Sequence, residues 1–422
     1  MAEAQSSAPA VRRLDARSAS RGADWLARHV AIALGFSLPI SVALDNVFLV
    51  LLLLAWLARA RWRENYQLIR RNPAAWSALL LLAWLALGLA WGSGPLSEGL
   101  LYLKKYSDLL LVPILVTVFV DEQERRRGLL ALAAALALTL VLSYALALGW
   151  LPAGGLLTGD AGNPTVFKRH ITQNILMAFA ALLFAELALE PAPRRVRIFW
   201  AALSLGAAFN VLFLVQGRTG YVVLAVLVLW FLFRTLRWKG IVAAAGILAV
   251  AFAGAYQLSD SFHTRISLAR AQADQWQHGV ESHNAIGERF EFYTNTLAII
   301  RDHPLLGVGT GGFVQAYEER VQGTEVKPTR NPHSQYLLTA SQAGLVGLGL
   351  LVLLLVQLWR CAGRLPRESD RTLARGLVLT MAVGSLFNSL LIDHTESLFF
   401  AWASGLLVAG YAPLERVPQS GI

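Results

Sequence analysis

Cysteine is almost missing from this chain of 422 residues: Cys361 stands alone, which excludes an intrachain disulfide framework and any thiolate metal cluster. Charge is scarce as well. Only 15% of the residues are Asp, Glu, Lys or Arg, 56% are hydrophobic, and the mean hydropathy is +0.51. A soluble domain of this length is thereby excluded, and the membrane class comes first. Acidic residues are the rarer sign, 27 against 37 basic ones, for a net charge of +10. In a soluble protein that excess would suggest nucleic acid, but in an apolar chain it is tested first against the positive-inside rule.

What the chain has in abundance is apolar runs long enough to cross about 30 Å of hydrocarbon. Twelve are counted, at 24–43, 46–62, 74–92, 100–120, 128–149, 170–189, 197–216, 219–236, 239–258, 334–359, 372–392 and 396–413. The expected fold is an all-α integral membrane protein of about twelve spans with one large outer loop containing short helices. Its parts are a tail at 1–22, nine spans within 23–258, a polar insert at 259–333, three spans within 334–413 and a tail at 414–422. Basic residues gather on alternate connections, from Arg12 and Arg59 through Arg125–Arg127 and Arg194 to Arg234 and Arg360–Arg375; with Arg416 they make 25 of the 37. Those faces and both termini are assigned to the cytoplasm, and the insert to the periplasmic side. Most of the net charge is thus topology, and nucleic acid is not implied.

Five cations break that rule by lying on the outer side: Lys104, Lys105, Lys168, Arg169 and Arg218. Lys104 is roughly 24 Å along its helix from the cytoplasmic end, so it either faces a wet cavity or snorkels to the head groups. Lys105 points about 100° away from it. Arg218 sits in the tight turn QGRTGY, close to where a lipid phosphate would lie, as a phosphate contact or as a helix-end anchor.

In the insert, Phe262–Trp276 has the spacing of an amphipathic helix, and a second helix is expected from Gly287 to Arg301, ended by Pro304. On it Arg289, Tyr293, Thr296 and Ile300 share a face. Arg289 either looks into a cavity or pairs with Glu288 or Glu291. The run GVGTGGF lacks the Lys and Ser/Thr of a phosphate loop, so it is read as a place of close backbone approach. His333, where the insert returns to the membrane, is either a proton acceptor for a sugar hydroxyl or structural. No two histidines are spaced as a metal pair, and the first outer loop offers only Asp45, so no metal and no cofactor are expected. Asp393, His394 and Glu396 either cap the twelfth span or bind an acceptor.

Together these residues resemble the bacterial O-antigen ligase and O-antigen polymerase superfamily: Arg218-Thr219-Gly220 in a short turn, Arg289 ahead of Pro304–Gly309, and His333-Ser334 with Leu337, in that order and on one side. The resemblance implies transfer of a glycan from undecaprenyl pyrophosphate to an acceptor hydroxyl on the outer face of the inner membrane. It implies Arg218 and Arg289 as pyrophosphate contacts and His333 as the residue that activates the acceptor. Lys104, Lys105, Lys168 and Arg169 are added as further pyrophosphate contacts from their setting. The ligase, with lipid A-core as acceptor, is expected on length. The alternatives are the polymerase, the protein O-oligosaccharyltransferase and, from another class, a transporter of lipid-linked glycan.

Overall fold

The structure is a computed structural model, and it describes residues 8–152, 154–155, 157–258, 264, 267 and 287–411. It is helical throughout, with no strand among these residues. In chain order the helices are α1 (Ala8–Ser37), α2 (Val42–Ala58), α3 (Trp62–Arg71), α4 (Pro73–Leu87), α5 (Leu96–Tyr106), α6 (Leu111–Val118), α7 (Glu122–Ala147), α8 (His170–Leu189), α9 (Arg194–Phe209), α10 (Arg218–Leu236), α11 (Trp238–Leu258), α12 (Gly287–Asp302), α13 (Phe313–Val321), α14 (Gln335–Ala362), α15 (Glu368–Phe387) and α16 (His394–Val408). Each of the twelve apolar stretches is helical over most of its length, and α12 falls where the proline stop placed it. By length and composition, six described helices qualify as membrane spans, or seven with the bent pair α2 and α3. The chain is a multi-pass membrane protein.

Local chemistry sets the boundaries. Asn72 accepts from Ala75 N at 3.2 Å and Pro73 opens α4; Asp121 accepts from Gln123 N and Glu124 N and opens α7. The stretch 100–120 differs from a single regular span. It is α5, a tight 3-10 turn at Ser107–Leu110, then α6, because Pro113 has no N–H to continue the ladder to Leu109. Residues 8–22, expected as a tail, continue helix α1. The helix expected at Phe262–Trp276 lies outside the described residues except for Thr264 and Ser267, and the tail expected at 414–422 lies wholly outside them.

The bundle is organised around α8 and α16. Of the candidate spans α8 is the most enclosed, and every residue of α16 from Thr395 to Val408 is buried. Phe179 and Phe399 cross edge to face between them at 5.1 Å. Lipid offers little hydrophobic drive for helix association, so close packing carries it. At Gly405 a Cβ would lie 2.7 Å from Leu115 Cβ and 3.1 Å from the Val112 carbonyl, which fixes how near α16 can come to α6.

The two ends of the bundle differ. At the basic end Glu190 holds Arg126 at 2.6 Å and Arg367 at 2.7 Å, and Glu186 holds Arg234 at 3.2 Å, tying α7, α8, α10 and α15 together. At the other end α14 is interrupted at Gly344 (φ 67°, ψ −172°). There Leu345 N donates to the Pro304 carbonyl and the Ser341 carbonyl accepts from Val308 N, both at 2.8 Å. Two hydrogen bonds to the 304–308 segment thus replace the one helical bond that the break removes. The glycine run does bring backbones together: Gly309 lies against Gly88 and Gly92, and Gly311 against Gly99.

Candidate functional site

The site is built on the segment that leads into α14. His333 has φ 56°, a left-handed conformation that a non-glycine residue adopts only when its surroundings impose it. Those surroundings are specific. His333 N donates to Asn331 Oδ1 at 2.8 Å, and the same oxygen accepts from Ser389 Oγ at 2.7 Å. Arg330 is bolted to α5 twice: its carbonyl accepts from the Tyr102 hydroxyl at 2.6 Å, and its Nη2 lies 2.6 and 2.7 Å from the two carboxylate oxygens of Glu98.

The half-buried ring of His333 stacks on Phe292 of α12, with centroids 6.0 Å apart and planes 25° from parallel. Tyr293, the next residue, donates to the His333 carbonyl at 3.3 Å and to the Leu386 carbonyl at 3.2 Å. One turn earlier stands Arg289, close enough for its charge to act on His333. Burial first and Arg289 second hold the imidazole below its ordinary pKa, while Glu288 opposes them. The ring is therefore neutral near pH 7 and able to accept a proton.

Beneath this pair lies a floor of uncharged polar groups. Gln335 is fully buried; its Nε2 donates to the Tyr106 hydroxyl at 3.1 Å and to Thr339 Oγ1 at 3.0 Å, and its Oε1 accepts from Leu391 N at 2.9 Å. Its own N–H donates to the Asn388 carbonyl at 3.2 Å, and Asn388 Nδ2 donates to Thr219 Oγ1 at 2.7 Å. The turn carrying Arg218 is thereby joined to the segment carrying His333. Asn174 of α8 holds the same turn from below, donating to the carbonyls of Val215 at 2.9 Å and Gly217 at 3.3 Å. A Cβ at Gly220 would fall 2.1 Å from Asn174 Oδ1, so only glycine admits that contact. Arg218 itself is exposed.

A second group of charges forms on the far side of Tyr106. Lys105 Nζ lies 5.4 Å above the Tyr102 ring. Asp393, at the N-cap of α16, makes no side-chain cap bond, and Lys105 and Arg169 both act on its carboxylate. Asp393 is exposed, yet lost hydration raises its pKa, and the two cations only partly offset this.

Of the six cations and one imidazole expected here, the fold brings His333 and Arg289 together, joins Arg218 to them through Thr219, Asn388 and Gln335, and sets Lys105 and Arg169 where both act on Asp393. Lys104 is exposed, with no tie to this network among the described residues. Lys168 is turned inward, its Nζ 3.8 Å from Asp45 Oδ2. Sequence reasoning missed Asn174, Gln335, Asn388 and Tyr106. Their one signal was polarity within or beside apolar runs. A cavity of about 470 Å³ lies elsewhere, lined by Trp91, His303–Val308 and Ala316, and touches none of these groups.

The family model described as O-antigen ligase matches residues 203–352. The matched segment, about a third of the chain, is that of the O-antigen ligase superfamily. Arg218, Arg289 and His333 all lie inside the matched segment. Lys105, Arg169, Asn174, Asn388 and Asp393 lie outside it, so much of the setting of the superfamily segment comes from the rest of the chain. No curated protein sequence matches the chain. Among the described residues, no group of three or more His, Cys, Asp or Glu side chains converges as a metal site.

Proposed function

We propose that this protein is an O-antigen ligase: it transfers a polysaccharide from undecaprenyl pyrophosphate to lipid A-core oligosaccharide, with inversion, in lipopolysaccharide biosynthesis. It has twelve spans in the bacterial inner membrane, with the basic end and both termini cytoplasmic and the His333 end periplasmic. The observation that carries the reading is an imidazole stacked on Phe292, within electrostatic reach of Arg289, on the segment that leads into α14.

The acceptor hydroxyl gives its proton to the free ring nitrogen of His333 as its oxygen attacks the anomeric carbon. The bond from that carbon to the pyrophosphate oxygen breaks on the opposite face, and its electron pair leaves with the lipid pyrophosphate. Arg218 and Arg289 meet the charge that develops there, in a setting where a guanidinium counts for more than in water. Lys105 and Arg169 supply further positive charge at the rim, Lys104 stands outside them, and Lys168 is held by Asp45. The imidazolium then returns its proton to solvent.

The experiment is reconstitution of the full chain with a lipid-pyrophosphate glycan and lipid A-core. Inverted product on the core is expected from wild type, and none from His333→Ala or Arg289→Ala protein that is inserted and folded. Product on a glycan repeat alone would make the chain a polymerase. Lipid movement without product would make it a transporter.

A further inference from the structure

We propose that Asp45, in the first turn of α2 and far in sequence from the matched segment, is a positioning residue that sets the Arg169–Asp393 rim. Asp45 is completely buried, and its Oδ1 accepts from Ser37 Oγ at 2.6 Å. Its Oδ2 lies 3.8 Å from Lys168 Nζ and 3.8 Å from His394 Nε2. Lys168 is only 8% exposed. Among the described residues, none of these three atoms has a hydrogen-bond partner.

An ion pair of that length, buried and with no hydrogen bond between its partners, is a poor stabiliser, because the cost of removing both charges from water is about as large as the attraction returned. Apolar packing would hold α2 equally well. What the charges accomplish is geometric. Lys168 ends a short hairpin in which Thr158 N donates to the Val166 carbonyl at 2.9 Å and Thr158 Oγ1 to the Lys168 carbonyl at 3.1 Å. The next residue is Arg169. His394 opens α16, and the residue before it is Asp393. One carboxylate oxygen therefore stands between two arms, 3.8 Å from each of the residues adjoining the two rim charges. Thr172 Oγ1 adds a second clasp one turn on, donating to Glu396 Oε1 at 2.6 Å.

The kinetic arm of the test rests on the ligase reading; the structural arm does not. The variant is Asp45→Asn with Lys168→Gln, which removes both charges together and leaves no buried ion alone. Its thermal midpoint should stay within a few degrees of wild type. In the transfer assay KM for the lipid-pyrophosphate donor should rise about tenfold, with kcat nearly unchanged, as for other residues that orient a binding group. For the structural arm, Arg169→Cys and Asp393→Cys are introduced together, Cys361 being the sole native thiol and buried. Cross-linking by a short bis-maleimide should be several-fold slower in the neutralised background. Unchanged cross-linking and unchanged KM would overturn the proposal. Should wild type transfer no glycan, the ligase reading fails and the cross-linking result still decides this one. If the double variant does not fold, His394→Gln, which keeps the Asp45–Lys168 pair, should slow cross-linking in the same direction; no change there overturns the proposal equally.

Discussion

His333 and Arg289 are joined by electrostatics rather than by a hydrogen bond: the guanidinium, one turn from the Phe292–Tyr293 pair that holds the imidazole, makes protonating that ring harder. The same arginine is proposed to meet the pyrophosphate. Binding the anionic donor would cancel the positive field and make His333 a stronger base once substrate is in place.

The pH dependence should show this. With a folded pKa below the ordinary imidazole value of about 6.5, activity should hold through pH 7 and fall only on more acid titration. The acid midpoint of kcat, which reports the donor complex, should lie above that of kcat/KM for the donor, which reports the free enzyme. Identical midpoints would show that Arg289 is not shared between ring and donor. For stability the sign follows from linkage. The unfolded chain binds this proton first, so His333 costs stability as pH falls below about 6.5, and the loss levels off below the folded pKa.

Asn388 should matter beyond its own bonds. Asn388→Ala leaves Thr219 Oγ1 without its donor inside the protein and should cost about 1–3 kcal/mol in unfolding free energy, with transfer lowered further. A cycle with Thr219→Val should give a coupling of about 0.5–3 kcal/mol; additivity would mean that the two do not act together.

Gly220→Ala should destabilise by about 1–3 kcal/mol, because its Cβ would collide with Asn174 beneath the Arg218 turn. Gly246→Ala on α11 meets nothing within 4 Å and should be neutral or add up to about 1 kcal/mol of helix stability. Thermal unfolding in detergent, run on both, separates a local clash from a general intolerance of added methyls.

At the basic end, Arg234→Met strands the buried Glu186 and should cost about 3–5 kcal/mol. Adding Glu186→Gln should recover most of that, and the recovered protein should transfer glycan at the wild-type rate. A persistent loss of activity would tie this end to the reaction.

The helices were legible because hydropathy reports them directly, and α12 because a proline punctuates its end. His333 and Arg289 were legible as chemistry, but their partnership was not, since it depends on α12 crossing the head of α14. The exceptional lysines illustrate the limit. Lys105 and Lys168 break the charge rule equally in sequence, yet one faces the rim and the other is drawn inward by Asp45, a distinction that exists only because the fold brings the first turn of α2 to the segment ahead of α8 and to the start of α16. Nor could spacing reveal Gln335 and Asn388, whose importance comes from linking residues more than a hundred positions apart.

The interruption at Gly344 has a mechanical meaning. Because the backbone of 304–308 has taken over the bonding at the break, α14 cannot straighten without expelling that strip of chain. The strip continues directly from α12, so the element that carries Arg289 is fastened to the helix that His333 leads into, at a second point well away from the Phe292–His333 stack.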